Sequence, residues 1–516
     1  MRLPEFRNEP YTDFSRPENK AAYQEALRSV RSRLGREYPL VIGGKRVSTS
    51  ETIPSLNPCK PSEVIGRTAS ATQEHADAAL DAAWTAFESW KDTPVEERVG
   101  IILRAAGLIR ARKLEFDALL TLEVGKNYLE AEAETAEAID FLEYYARQAL
   151  KFSGHIETVQ LPGERDRAEY VPLGAGVSIA PWNFPLAIFL GQTVGPIVAG
   201  NTMIAKPAED AGVVAAWGID LLLEAGLPPG VVNFLPGRGE TVGAYLVAHP
   251  RTRFINFTGS KDVGLHINAE AARHRPGQKW IKRVTLELGG KDGMLVDETA
   301  DLDAAADAAV AAAFGFAGQK CSALSRLVVV EPVYQQMLEK VVERTNKLIL
   351  GSPEENSNVN PVVNEDSYKK AQEYLSIAPG EGRVLTGGRA PEREGYFIEP
   401  TVVADVKPDA RLAQEEIFAP VLAVIPVKDF DQGIDVLNGT DYGLTGGLFS
   451  RDEERLRRAE DDIEVGNLYL NRKITGAMVG AHPFGGFNLS GTDSKAGGPD
   501  YLLHFLQMKS IARRVQ

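Results

Sequence analysis

Residues 171–209 read VPLGAGVSIAPWNFPLAIFLGQTVGPIVAGNTMIAKPAE, and no charged side chain occurs in them before Lys206. An uncharged stretch of this length could be mistaken for a membrane span, but prolines such as Pro181 and Pro196 would interrupt a single long helix. We therefore interpret the stretch as part of a buried core. The prediction is a strand, a helix and a second strand, at residues 176–179, 184–199 and 202–205.

The same alternation of strands and helices continues on both sides of this stretch, and residues 72–152 are helical in pattern. Strands that alternate with helices at this spacing predict parallel sheets covered on both faces, which bind ligands beyond the carboxyl ends of their strands. The fold class is therefore α/β. Further predicted helices are 213–225, 240–248, 302–314 and 333–348; further predicted strands are 231–235, 254–257, 327–331 and 421–427, with a hairpin at 39–47.

The composition is that of an ordinary globular protein, with 44% hydrophobic and 25% charged residues. A chain of 516 residues is too long for one core and predicts two or three domains. The net charge of -14 argues against nucleic acid or an anionic membrane as the main partner, but it does not argue against a small anionic substrate.

The cysteines and histidines do not indicate a disulfide framework or a metal site. The two cysteines, Cys59 and Cys321, lie far apart, which fits a reducing cytosol. The seven histidines are scattered and form no HExxH motif, so we expect no bound metal. The first residues, MRLPEFRNEPYTDF, lack the apolar core of a signal peptide, and we expect a cytoplasmic location.

A second stretch, residues 284–321, supplies a thiol and a carboxylate beside glycine-rich backbone. Glu287 lies in VTLELGGKD and Cys321 in FGFAGQKCSALSR, where the adjacent Lys320 is expected to favour the thiolate. A thiol nucleophile with a separate carboxylate base is what an acyl-enzyme route requires. Alone, such a cysteine is more often a small buried hydrophobe, and such a glutamate more often faces water.

The chain lacks a strict dinucleotide fingerprint, because Gly237, Gly239 and Gly243 are one residue too widely spaced. Nevertheless, Thr258, Gly259 and Ser260 follow a predicted strand and begin a helix, and the amides at a helix start suit a pyrophosphate. Such a turn is by itself more often a simple helix cap.

Lys206 and Glu209, in AKPAED, follow another strand end and could hold ribose hydroxyls. A carboxylate at that position would repel a 2′-phosphate, which favours NAD over NADP.

Taken together, these segments resemble the aldehyde dehydrogenase superfamily, whose motifs occur here in the family's order. The resemblance implies two doubly wound parallel-sheet domains and a small strand-based oligomerisation element. It assigns residues 1–38 to an N-terminal arm, 39–153 and 171–287 to an NAD-binding domain, 288–480 to a catalytic domain, and 154–170 with 481–516 to oligomerisation. The matching motifs are APWNFP (180–185), KPAE (206–209), FTGS (257–260), LELGGK (286–291), FGFAGQKC (314–321), EEIFAP (415–420) and PFGGFNLSG (483–491).

Within the superfamily, the chain is most similar to the branch that oxidises glutamate semialdehyde in proline degradation. EVGKN (123–127), GQKCSA around Cys321 and NRKITGAMVG (471–480) carry this likeness. The resemblance implies that Cys321 attacks the aldehyde, that Asn183 and the Cys321 backbone amide stabilise the oxyanion, and that Glu287 activates water for thioester hydrolysis. The alternative for Asn183 is a loop residue that caps backbone between Pro181 and Pro185.

The resemblance also implies cofactor and substrate contacts. Ala419 stands where the family usually has glycine, and His482 where the branch often has glutamine. The implied NAD contacts are Ile179, Pro181, Trp182, Lys206, Glu209, Gly239, Gly243, Phe257, Gly259, Ser260, Leu288, Glu416 and Phe418. The implied contacts of the small-molecule substrate are Glu137, Phe184, Lys320, Ser322, Gly476, Ala477 and Phe484.

Two other functions remain open from the sequence: a dehydrogenase of another small aliphatic aldehyde or ω-semialdehyde, and a binding protein that keeps the fold without catalysis. The strand-like segment 154–170 and the tail 501–514 predict strand exchange between subunits, and hence a homo-oligomer of two or more chains.

Overall fold

The computed structural model describes residues 3–515, which form fifteen α-helices and twenty-two strands. The helices are α1 Pro17–Arg31, α2 Gln73–Trp90, α3 Val95–Ala111, α4 Lys113–Val124, α5 Tyr128–Lys151, α6 Ala187–Val198, α7 Gly212–Glu224, α8 Ala244–Ala248, α9 Lys261–Ala271, α10 Leu302–Phe314, α11 Glu331–Thr345, α12 Glu365–Glu381, α13 Arg411–Gln414, α14 Phe430–Asn438 and α15 Glu453–Asp462. The strands of the first half are β1 Arg36–Tyr38, β2 Leu40–Ile42, β3 Lys45–Val47, β4 Thr52–Asn57, β5 Lys60–Ala69, β6 His155–Glu157, β7 Glu164–Pro172, β8 Ala175–Ile179, β9 Thr202–Lys206, β10 Val232–Phe234 and β11 Phe254–Thr258. Those of the second half are β12 Arg283–Glu287, β13 Gly293–Val296, β14 Arg326–Val330, β15 Arg383–Thr386, β16 Thr401–Ala404, β17 Val421–Val427, β18 Tyr442–Gly443, β19 Thr445–Phe449, β20 Asn467–Leu470, β21 Phe487–Asn488 and β22 Leu506–Arg514.

The first large sheet has seven strands in the order β12-β11-β8-β9-β10-β2-β3. The strands from β12 to β10 run parallel, and the β2–β3 hairpin adds two antiparallel strands at one edge. The hairpin predicted at 39–47 and the strand–helix–strand unit predicted in 171–209 are both confirmed. The apolar stretch becomes β8, α6 and β9, buried on both faces, which is why its sequence is apolar throughout.

The second large sheet also has seven strands, in the order β15-β16-β17-β14-β13-β19-β20. All neighbouring pairs are parallel except the edge pair β15–β16. Each large sheet lies in its own main hydrophobic core. The α/β fold with two parallel sheets is therefore confirmed, whereas the domain boundaries given above stay a prediction.

A three-stranded antiparallel sheet has the order β22-β7-β6. The tail strand β22 pairs with β7 of the same chain along its whole length, from Leu506 opposite Pro172 to Arg514 opposite Glu164. Within residues 3–515, β22 is an edge strand whose other side pairs with no strand, so the pairing of this tail with a partner chain stays a prediction. Within residues 3–515, no helix combines the length and apolarity needed to cross a membrane.

The carboxyl ends of the parallel strands of the first sheet meet at one edge. Ile179 at the end of β8 is paired with Lys206 of β9 and with Phe257 of β11, and Thr258 is paired with Glu287 of β12. Residues more than a hundred positions apart thus share one edge of the sheet, where parallel sheets bind ligands.

Candidate active site

One cavity of about 150 Å³ contains the Cys321 thiol and the Glu287 carboxylate on its lining. Its walls come from α5, from the loop and helix that follow β8, and from residues 476–479. The structure therefore brings the nucleophile and base candidates together with every residue that the sequence assigned to substrate. Those residues are Glu137, Phe184, Lys320, Ser322, Gly476, Ala477 and Phe484.

Cys321 follows a backbone turn of unusual conformation. Phe316 and Ala317 have φ of 50° and 53°, and Gly318 has φ of 70°. Left-handed conformations are costly for residues with a side chain, and they persist where surrounding contacts fix them. Gln319 supplies such contacts: its side chain donates to the Phe316 carbonyl at 3.2 Å and accepts from Val363 N at 2.8 Å.

The thiol of Cys321 is not activated by its neighbour Lys320, and this prediction is wrong. Burial raises the pKa of Cys321 well above its ordinary value, and the carboxylates of Asp292 and Glu287 raise it further. The Lys320 ammonium instead lies 2.6 Å from Glu130 in an ion pair. Because its charge is neutralised by that carboxylate, Lys320 does not offset the burial of the thiol.

Glu287 is the last residue of β12 and is 8% exposed. Its Oε1 accepts a hydrogen bond from the Ser494 hydroxyl, whereas Oε2 has no partner within residues 3–515. Burial raises the pKa of Glu287 to about 8, and the bond from Ser494 opposes this rise. In its ionised form, a buried carboxylate with one oxygen held by a hydrogen bond and the other free can accept a proton from a water molecule.

Asn183 lies in the loop between β8 and α6 and is 4% exposed. Its Nδ2 donates to the Gln319 carbonyl at 3.1 Å, which holds the amide beside the segment that precedes Cys321. A side-chain amide carries two N–H groups, so one of them remains available for a substrate oxygen.

A fully buried ion pair supports this loop. Lys126 Nζ lies 2.5 Å from Glu134 Oε2, and both side chains are 0% exposed. Glu134 Oε1 in turn accepts from Leu186 N at 2.8 Å, at the start of α6. The Lys126 ammonium also lies over the rings of Phe184, at 3.7 Å, and Phe316, at 4.6 Å. The pair therefore ties α5 to the loop of Asn183 and to the turn before Cys321.

The small-residue loop that could bind a carboxylate is present on the cavity wall. Gly476 has φ of 78°, a conformation that favours glycine, and Ser322 lies on the same cavity. Lys473 precedes this loop, and burial lowers its pKa, with a further lowering by Lys320. Met478 N donates to His482 Nδ1 at 3.1 Å, and the side-chain oxygen of a glutamine could accept the same bond.

Glu137 extends from α5 into the same cavity. Burial raises its pKa to about 8, and the nearby Glu134 carboxylate adds to the effect. A buried carboxyl of this kind regains its charge when a cation binds beside it, because the cation lowers the pKa.

The residues assigned to adenosine binding form a connected group. Lys206 Nζ lies 3.2 Å from Glu209 Oε1, which also accepts from Gly239 N at 2.7 Å. Gly243 packs against the Lys206 side chain, because a Cβ there would lie 3.5 Å from Lys206 Cε. The sequence separated these residues into two motifs, and the sheet brings them together.

Gly259 and Ser260 lie at the junction of β11 and α9. A Cβ on Gly259 would lie 2.4 Å from the Phe257 ring, so this position requires glycine. Ser260 caps α9 by accepting from Val263 N, and Leu288 packs against the same helix at Gly264. The amides at the start of α9 are therefore exposed to a ligand at the strand ends.

Glu416 and Phe418 lie where the second sheet approaches the first. Gly290 N donates to Glu416 Oε1 at 3.1 Å, and burial raises the pKa of Glu416. Phe418 has φ of 62° and packs edge-on against Trp182, with 5.5 Å between ring centroids. Ala419 stands where the family usually has glycine, and its loop still packs closely against Gly318. A Cβ on Gly318 would lie 2.6 Å from the Ala419 carbonyl oxygen. Pro181 precedes Trp182 in the same loop.

The sequence analysis missed Ser494, Lys126 and Tyr11 as contributors to this site. Ser494 lies 207 residues from Glu287 and carries no local motif. Lys126 belongs to EVGKN, directly after Gly125, which ends α4. This position beside a helix end is the local feature of the sequence that could have indicated a role for Lys126. Tyr11 lines the cavity from the N-terminal arm, in which no site residue was predicted.

Comparison with known proteins gives consistent matches over the whole chain. A model of the aldehyde dehydrogenase family matches residues 46–511. The 1-pyrroline-5-carboxylate dehydrogenases of Geobacillus sp. (strain WCH70) and Anoxybacillus flavithermus are 53% identical over 508 residues, covering 98% of this chain and 99% of each relative. The structure is similar to that of 1-pyrroline-5-carboxylate dehydrogenase from Thermus with bound NAD, with a TM-score of 0.99, 57% identity and full coverage of both chains. Proline utilization A from Bdellovibrio bacteriovorus matches with a TM-score of 0.97 and 42% identity, over 100% of this chain and 54% of that one.

Proposed function

The chain belongs to the aldehyde dehydrogenase family, and from this premise we propose that it oxidises L-glutamate γ-semialdehyde to L-glutamate with NAD as the hydride acceptor. The semialdehyde forms by ring opening of 1-pyrroline-5-carboxylate, so the reaction is the second step of proline degradation. One observation carries the proposal: a single cavity combines Cys321 and Glu287 with the Gly476–Ala477 loop, which can bind a carboxylate.

The first step joins the Cys321 sulfur to the aldehyde carbon, and the thiol proton passes to the Glu287 carboxylate on the same cavity, which releases it to solvent before hydrolysis. The carbonyl oxygen then carries a negative charge, and the Asn183 amide and the Cys321 backbone N–H can donate to it. Loss of one such donor typically raises the barrier by about 3 kcal/mol. The bond from Asn183 to the Gln319 carbonyl orients the amide before the substrate arrives.

The donor set at the strand ends fits a dinucleotide. Lys206 and Glu209 offer a cation and a carboxylate to ribose hydroxyls, and the start of α9 at Ser260 offers amides to a pyrophosphate. The buried Glu416 carboxylate can accept from the second ribose. NAD, when bound, takes up the hydride that leaves the carbon attached to sulfur, and the product on Cys321 is then a thioester.

Thioester hydrolysis requires a base that removes a proton from water. The Oε2 atom of Glu287 has no partner within residues 3–515, and Ser494 holds Oε1, so the carboxylate is oriented for this role. The water oxygen attacks the thioester carbon, the C–S bond breaks, and Cys321 is regenerated as the carboxylate product leaves.

Both charged groups at the α-carbon of the substrate have complementary groups in the cavity. The Ser322 hydroxyl and the backbone amides of Gly476 and Ala477 can bind the α-carboxylate. The Glu137 carboxyl can receive the α-ammonium, and this cation would lower the raised pKa of Glu137 and restore its charge. Phe184 and Phe484 line the same cavity and suit the aliphatic part of the substrate.

Steady-state kinetics with a panel of aldehydes test the choice of substrate. We expect kcat/KM for glutamate semialdehyde to exceed that for hexanal by at least about a hundredfold, because hexanal leaves the carboxylate site unpaired. Comparable values for the two aldehydes would contradict the carboxylate-binding role and favour a general aliphatic aldehyde dehydrogenase.

Replacement of each cysteine tests the chemistry. Cys321→Ala should abolish turnover while NAD still binds, as measured by calorimetric titration. The matched control is Cys59→Ala, because Cys59 is also a half-buried free thiol, whose pKa burial raises to about 12, and it lies outside the cavity lining. Residual activity above about one per cent in Cys321→Ala would contradict the thioester route.

The assembly and location of the protein follow as further parts of the proposal. The β22-β7-β6 sheet and the connection between β6 and β7 expose apolar side chains, including Met508 at 56% in β22 and Val159 at 87% in the connection. We expect this surface to be covered in a homodimer or larger homo-oligomer, which sedimentation analysis of the purified protein would test against a monomer. We expect the protein to be cytoplasmic. Both cysteines are free thiols, which is consistent with the reducing conditions of the cytoplasm.

A further inference from the structure

We infer that Tyr11, in the N-terminal arm, is a specificity-determining residue that closes the outer side of the substrate cavity and limits the length of the aldehyde chain. The inference rests on the proposed function, since it concerns the same cavity. Tyr11 lines that cavity together with Glu137 and Met478, although it lies more than three hundred positions before Cys321 in the sequence.

The arm around Tyr11 is fixed to helix α5 on both sides of the ring. Asn8 Nδ2 donates to Asp140 Oδ2 at 2.8 Å and to the Val479 carbonyl at 3.0 Å. After the ring, Thr12 N donates to Glu132 Oε1 at 2.7 Å. Because hydrogen bonds flank Tyr11 on either side, its backbone cannot move away from the cavity without breaking them.

Two basic side chains strengthen this attachment. Lys113 Nζ donates to the Pro10 carbonyl at 2.9 Å and lies 2.5 Å from Glu132. Arg110 Nε lies 2.8 Å from Glu9 Oε2. Glu9 and Pro10, the two residues before Tyr11, are thus held by charged groups on α3 and α4, and Tyr11 lies on the cavity lining.

The hydroxyl of Tyr11 joins the arm to the loop that would bind the substrate carboxylate. It donates to Met478 Sδ at 3.6 Å, a weak bond to the residue after Ala477. Burial first, and then the carboxylates of Glu137 and Asp140, raise the pKa of Tyr11 to about 12, so the hydroxyl stays protonated and can donate. The ring is 55% exposed, with one side facing solvent and the other facing the cavity.

The position of Tyr11 relative to the reacting atoms explains why it would limit chain length. The Tyr11 hydroxyl contacts Met478, the residue after the Gly476–Ala477 loop that would bind the α-carboxylate, and all four residues line the cavity that contains Cys321. An aldehyde attached at Cys321 would place its α-carbon at this loop, so atoms beyond the α-carbon would meet the Tyr11 ring.

The test compares Tyr11→Ala and Tyr11→Phe with the unmodified protein on unbranched aldehydes from propanal to octanal and on glutamate semialdehyde. Tyr11→Ala should raise kcat/KM for octanal relative to propanal by about tenfold, because it removes the outer wall. It should raise KM for glutamate semialdehyde while kcat changes less than about twofold. Tyr11→Phe should keep the length limit, since the ring remains.

Arg7→Ala is the matched control, because Arg7 is an exposed residue of the same arm that does not line the cavity. It should leave the ratio of octanal to propanal unchanged. An unchanged ratio in Tyr11→Ala, or an equal fall in kcat for all aldehydes, would overturn the inference. The unbranched aldehydes carry no carboxylate, so they test the chain-length limit alone. Failure of the proposed function would appear separately, as no preference for glutamate semialdehyde in the unmodified protein.

Discussion

The hydrogen bond from Ser494 to Glu287 gives a quantitative prediction for thioester hydrolysis. Burial raises the pKa of Glu287 to about 8, and the Ser494 hydroxyl is the largest influence that lowers it. Hydrolysis needs the carboxylate, so its rate should rise with pH through the pKa of Glu287 and level off above it. Ser494→Ala removes the stabilising donor and should move this rise to higher pH.

The size of the effect follows from the energy of the bond. A hydrogen bond to a charged group contributes about 1.5–3 kcal/mol, and one pKa unit corresponds to about 1.4 kcal/mol. Ser494→Ala should therefore raise the pKa of Glu287 by about one to two units. At pH 8 the ionised fraction, and with it the hydrolysis rate, should fall by about five- to fiftyfold, and most of the loss should be recovered near pH 10.

Stopped-flow measurement of NADH separates the two chemical steps. A burst followed by a slower steady rate establishes that thioester hydrolysis limits turnover. We expect Ser494→Ala to keep the burst and to shift the pH profile of the steady rate. A second comparison uses Glu287→Gln, in which the titrating group is absent and Ser494→Ala should cause no further shift. A profile that moves by less than about half a pH unit, or loss of the burst itself, would refute the assigned role of Ser494.

Two further predictions concern the support of the site and the choice of cofactor. Lys126→Met leaves the buried Glu134 carboxylate without its cation, so the free energy of unfolding should fall by about 3–5 kcal/mol. The double variant Lys126→Met/Glu134→Gln should recover part of this loss. Equal stability of Lys126→Met and the unmodified protein in urea unfolding would contradict the prediction. Glu209→Gln removes a negative charge beside Gly239, so kcat/KM for NADP should rise by at least about tenfold relative to kcat/KM for NAD. An unchanged ratio of these two kcat/KM values would show that another group rejects the 2′-phosphate.

The periodicity of the sequence predicted many of the helices and parallel strands, but it did not predict β13, β16, β19 and β20 of the second sheet. The helix predicted at 302–314 and the strand predicted at 421–427 have the same limits in the structure, and the charge-free stretch at 171–209 becomes a buried strand–helix–strand unit. Such elements depend on residues a few positions apart, which is the range over which side-chain periodicity and backbone preference act.

The contacts and charge states of the site were decided by tertiary structure. Lys320 is adjacent to Cys321 in sequence, and we expected its charge to lower the pKa of the thiol. In the structure Lys320 pairs with Glu130, and burial raises the pKa of the thiol. Likewise, Glu287 receives its hydrogen bond from a residue 207 positions away. The tail strand β22 pairs with β7, which lies more than three hundred positions earlier in the chain.

The sequence by itself thus supplied the candidate residues for the chemistry and many of the segments that form the two large sheets. The three-dimensional structure determined which of those residues hold a charge, which are oriented by a neighbour, and that Tyr11 from the first residues of the chain reaches the substrate cavity. The physical reason is that periodicity is a local property of the chain, whereas desolvation and ion pairing depend on groups that only folding brings within a few ångströms.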